Sequence, residues 1–168
     1  MKRAFTLIEL LVAISIVIIL SAGAFVYINQ GIQRQNLLKI SSQVVSDLKM
    51  AQSLAKTKQV PAGTTGNLKY VNVAISDGNL VLKGVTATGN EVIFSSKKVG
   101  ATITISSPSN NQLYFYASNG FLGKSDGSFY ALNEQAQITI TLAEAKTMSI
   151  IITIDPLGQI NEGEVNES

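Results

Sequence analysis

From Phe5 to Ile28 every residue is apolar, small or weakly polar, with the single exception of Glu9. The run exceeds the ~20 residues that an apolar helix needs to cross a bilayer. Lys2 and Arg3 precede it, and positive charge is retained on the cytoplasmic side, so the following chain is expected outside. A charge inside such a run costs roughly 2.5–3.5 kcal/mol on insertion scales. Glu9 therefore needs a partner, and it is the first candidate functional residue.

The next segment has a different texture. Gly31–Lys58 contains no proline, and Leu37, Ile40, Val44, Leu48, Ala51 and Leu54 recur every three or four residues. That spacing makes one apolar stripe on an amphipathic helix, with Gln33, Arg34, Gln43, Asp47, Lys49 and Gln52 on its other faces. Together the two segments predict one helix from about Phe5 to Lys58, roughly 80 Å long at ~1.5 Å per residue. Val60-Pro61 and the following AGTTGN end it.

Beyond Pro61 the pattern changes to strands and turns. YVNVAI alternates, with Val71, Val73 and Ile75 on one face, and Asp77-Gly78 turns the chain into NLVLKG, a hairpin signal. EVIF, ATITIS, QLYFYA, QITITL and MSIIITI are further strand candidates, separated by turn-rich SSPSNN, SNGF, SDGS and DPLGQ. The predicted class is α+β: one long N-terminal helix packed on a small antiparallel β domain. Residues 5–28 form the membrane-spanning half of the helix, 29–60 its amphipathic half, and 61–168 the β-rich domain outside.

Composition removes several functions. Cysteine and histidine are absent, so there is no disulfide, thiolate metal site or imidazole base. The net charge of +2 is supplied by Lys2 and Arg3, and the rest of the chain is balanced. Ser46/Lys49 and Ser53/Lys56 match S-x-x-K, yet S-D-N and K-T-G are missing. Asp77, Asp126 and Asp155 each stand beside Gly or Pro in turn sequences, and no calcium-loop run is present. Tyr114, Phe115, Tyr116, Phe121, Phe129 and Tyr130 read as core and edge packing. No catalytic residue, metal site or cofactor is expected.

With these residues in hand, KRAFTLIELLVAI resembles the N-terminal signal of type IV prepilins and type II secretion pseudopilins. The resemblance implies a pilin fold, a leader of residues 1–4, and cleavage between Ala4 and Phe5 by a prepilin peptidase that methylates the new Phe5 amine. Ala4 stands where that family usually has glycine. Glu9 then becomes the fifth residue and pairs with the N-terminal amine of a neighbouring subunit. The implied protein is a non-enzymatic filament subunit. It sits first in the inner membrane with its N-terminus inside, then in a pilus or pseudopilus. Its implied partners are the peptidase, other pilin or pseudopilin subunits, an inner-membrane assembly platform and the lipid bilayer.

VSDLKMAQSLAKTKQV, YFYASNGF and MSIIITIDPLGQI are similar to segments of FimT-like or GspH-type minor pseudopilins. Some relatives with such tails place basic residues after the final glycine and are linked to DNA uptake. Here Gln159 follows Gly158, and Glu162, Glu164 and Glu167 close the chain, so DNA is not an expected partner. Two other readings stand beside this one. The first is a tip-located minor pilin that binds DNA or a surface ligand. The second is a secreted β protein whose ordinary signal peptide is cut after Ala22-x-Ala24.

Overall fold

The computed structural model describes residues 6–61, 64–108, 111–143 and 147–167, with the side chains of 22–27 and 143 excluded. Helix α1 runs unbroken from Leu7 to Thr57, 51 residues. It ends before Pro61 is reached. Lys58 takes the left-handed conformation at φ 52°, and the Gln59 N–H reaches back to the Leu54 carbonyl at 3.3 Å. This backbone cap satisfies the carbonyls that a helix end leaves open.

Among the described residues nine strands follow, all paired antiparallel. They are β1 (Leu68–Ser76), β2 (Asn79–Thr86), β3 (Glu91–Lys98), β4 (Thr102–Ser106), β5 (Leu113–Tyr116), β6 (Leu122–Gly123), β7 (Ala136–Ala143), β8 (Thr147–Ile154) and β9 (Ile160–Glu167). The β1–β2 turn has both central residues left-handed, Asp77 at φ 51° and Gly78 at φ 73°. This Asp-Gly geometry matches the right-handed twist of the flanking strands.

The strands form two sheets: a five-stranded sheet ordered β3-β2-β1-β5-β6 and a four-stranded sheet ordered β4-β7-β8-β9. The chain changes sheet three times, entering the second at β4, returning to the first for β5 and β6, and rejoining the second at β7. Strand pairing across sequence-distant segments carries no local signature, which is why the split was not legible. Strand β9 was also missed. Its composition, INEGEVNE, is acidic with a central glycine, a poor strand profile. Pairing along β8 holds it, and the register slips between Ile150 and Ile152 where Gly163 passes the Ile151 carbonyl.

The core joins the helix to both sheets. Leu37, Val44, Leu48, Ala51 and Ala55 are buried in one cluster with Val71, Val73, Phe115, Ile138, Ile140, Ile150 and Ile152. Two residues read from the sequence as polar-face positions, Gln33 and Asp47, are instead buried. For Asp47 the reason is an ion pair. A bulge in β3 places Lys97 opposite inward-facing Leu80, and its ammonium meets the Asp47 carboxylate at 2.5 Å. Lys97 keeps nearly half its side chain in water, while Asp47 keeps 6%. Lys97→Met is therefore expected to cost about 1–3 kcal/mol by stranding a buried carboxylate. Asp47→Asn should cost less. Thermal unfolding of the full chain in detergent checks the order, and equal losses would show that the asymmetry is wrong.

The N-terminal part of α1 has no such cover. Leu7 is 82% exposed and Leu20 69%. Among the described residues no helix is long and apolar enough to cross a membrane. The expected span 5–28 includes Phe5 and the side chains of 22–27, which lie outside that description.

Candidate functional site

Thr6 precedes the first helical residue with an extended backbone, φ −76° and ψ 149°. Its hydroxyl accepts a hydrogen bond from the Glu9 N–H at 3.3 Å. Glu9 answers by folding back: its Oε2 accepts from the Thr6 N–H at 3.0 Å and from the Thr6 hydroxyl at 2.8 Å. This is a reciprocal capping box. It satisfies two backbone donors that a helix start otherwise leaves open, and it sets the carboxylate where the helix dipole favours negative charge.

Glu9 thus has a partner within its own chain. Sequence reasoning singled out Glu9 and passed over Thr6, although Thr6-x-x-Glu9 is the capping-box signature itself. Both bonds use Oε2; Oε1 has no hydrogen bond among the described residues. Beside it, Ile8, Val12, Ala13 and Ile16 line a shallow apolar groove of about 310 Å³. The other expected site residues, Ala4 and Phe5, lie outside the described residues.

The remaining candidates resolve into local structure. Ser46, Lys49, Ser53 and Lys56 are exposed on α1. Asp126 accepts from the Ser128 hydroxyl at 2.7 Å and from its N–H at 2.9 Å, and these bonds hold its carboxyl below the usual range. Glu134 is lowered likewise, first by the Ala131 N–H and then by Lys124. Asp155 accepts from the Gln159 N–H at 2.8 Å across the β8–β9 turn. Among the described residues no group of acidic side chains is placed to hold a metal ion. Of the aromatics, Phe115 is in the core, Phe129 is exposed, and Tyr114 and Tyr116 are largely buried.

The family described as the prokaryotic N-terminal methylation motif matches residues 1–25. Comparison with the curated proteins and with the solved structures gives no match. The chain carries this methylation motif, and the motif supports the type IV pilin and pseudopilin reading. Thr6, Glu9 and the exposed start of α1 all fall within it.

Proposed function

We propose that this chain is a non-enzymatic structural subunit of a type IV pilus or type II secretion pseudopilus, of the FimT-like or GspH-type minor class. The observation that carries the reading is the methylation motif at residues 1–25, leading into a helix with two unlike halves. One half is apolar and uncovered by its own chain, and the other is built into the β domain's core. A free chain with such a surface needs lipid or other copies of that surface around it.

In the membrane, residues 5–28 span the bilayer with Lys2 and Arg3 inside, and residues 61–168 lie outside. A prepilin peptidase removes residues 1–4 and methylates the Phe5 amine. In the filament, the exposed halves of many helices form the centre and the β domains coat it. Glu9 sets the register. Its Oε2 stays bonded to Thr6, and Oε1 is left to accept from the protonated amine of a neighbour. Such a charge-assisted bond is strong where water is excluded.

Intact-mass measurement of protein extracted from membranes tests the first step. The mature chain is expected to begin at Phe5 and to carry one added methyl group. Retention of residues 1–4 would overturn the processing, and a start at Phe25 would identify an ordinary secretory signal.

A further inference from the structure

The outward face of the five-stranded sheet is hollowed into a groove of about 340 Å³. The strand register sets Tyr70 opposite Tyr116 and Asn72 opposite Tyr114 across β1 and β5. On the other side it sets Asn72 opposite Lys83 across β1 and β2. Tyr70 and Tyr114 line the groove with ring centres 5.2 Å apart; Tyr116 and Phe129 continue the series outside its lining, at 5.6 and 5.5 Å. A second hollow of about 270 Å³ shares Ala74, Ile75 and Gln112 with the first. The depression is therefore elongated.

Its polar groups are fixed in direction. Gln112 Oε1 accepts from the Tyr114 hydroxyl at 2.8 Å and from Asn72 Nδ2 at 3.0 Å. Asn72 Nδ2 also donates to the Leu113 carbonyl at 3.3 Å. Asn72 is only 7% exposed, yet it lines the groove and its Oδ1 has no hydrogen bond among the described residues. That oxygen is not among the enclosed atoms left without a partner, so it is open to a donor in the groove. The Tyr70 hydroxyl is likewise without a hydrogen bond there. Burial raises the pKa of Tyr70 and of Tyr114, which keeps both phenols protonated at neutral pH. The groove's charges cancel, because Lys83 and Glu91 pair at 3.5 Å.

We propose that this groove binds an uncharged oligosaccharide chain. Pyranose rings present flat C–H faces that pack on aromatic rings, and hydroxyls that both donate and accept. Asn72 Oδ1 and the Tyr70 hydroxyl offer those hydroxyls partners, and the Lys83–Glu91 pair offers a donor and an acceptor side by side. The volume falls in the range of small-ligand sites. The lining's paired charges leave a nucleic-acid backbone little to neutralise beyond Lys69, whose ammonium stands 5.8 Å from the Tyr70 ring centre. A peptide strand adds to an open sheet edge, whereas β1 is paired on both sides. The site lies on the β domain and is independent of the filament reading.

The test uses the full chain in a zwitterionic, sugar-free detergent. Calorimetric titration covers neutral glucose-, galactose-, mannose- and N-acetylhexosamine-based oligosaccharides, with dextran sulfate as the charged comparison. At least one neutral oligosaccharide is expected to bind saturably. Tyr70→Leu should weaken it about tenfold or more, with thermal unfolding monitored to confirm the fold. Lys83→Ala with Glu91→Ala, at half-exposed and exposed positions, should weaken it as well without unfolding risk. No saturable binding by any neutral oligosaccharide would overturn the proposal. So would unchanged affinity in both variants, or preferential, salt-sensitive binding of dextran sulfate.

Discussion

Glu9→Ala is expected to leave the subunit in the membrane and to remove it from filaments. Insertion should be equal or improved, because a charge is taken out of the apolar run. Assembly should fall at least about tenfold, since a lost charge-assisted hydrogen bond is worth roughly 1.5–3 kcal/mol and each 1.4 kcal/mol is tenfold. The comparison with Glu9→Gln separates two roles. An amide oxygen can still accept from the Thr6 N–H and hydroxyl, the bonds Oε2 makes at 3.0 and 2.8 Å, so the cap survives. It carries no charge for a neighbour's amine. If registry is the role, both variants fail in the sheared-filament fraction while remaining in membranes. If Glu9→Gln assembles normally and Glu9→Ala does not, Glu9 is a helix cap and nothing more. Normal assembly of both would leave the N-terminal pairing without support.

How much of this was legible before the structure depended on whether the signal was local. The Asp77-Gly78 turn specifies its own geometry, so the β1–β2 hairpin could be read from six letters on either side. The stripe at Leu37, Val44, Leu48 and Ala51 follows from helical period alone, and all four residues are buried. Asp47 was misplaced because its burial depends on Lys97, fifty residues away and turned inward by a bulge. Sheet membership and β9 failed for the same reason: partners, not propensities, hold them. At the N-terminus the lone charge in a greasy run drew attention to Glu9, and Thr6 was overlooked. The groove was invisible, since Tyr70, Asn72 and Tyr114 meet only through the β1–β5 register.

Gly158→Ala is expected to be among the most destabilising single substitutions in the β domain. The β8–β9 turn is fastened to the helix through Gln52, whose Nε2 donates to the Gly158 carbonyl at 2.9 Å and to the Gly120 carbonyl at 3.2 Å. Gly158 itself has φ +80°, a conformation that costs other residues about 1–2 kcal/mol. An added Cβ would overlap the Gln52 amide and sit 2.7 Å from the Gly120 carbonyl oxygen. Gln52 cannot swing away without leaving two carbonyls short of a donor, and the backbone oxygen is held by its own turn. Strain and overpacking together are expected to cost about 3 kcal/mol or more, lowering the melting temperature by about 10 °C for a chain of this size. Gly78→Ala is the control, because φ there is +73° but the added Cβ meets nothing within 4 Å. It should cost only the backbone strain. Combining Gly158→Ala with Gln52→Ala should recover part of the loss, since the side-chain overlap is relieved while the Gly120 contact remains. Equal losses for Gly158→Ala and Gly78→Ala would show that the turn does not pack against the helix as tightly as these distances require.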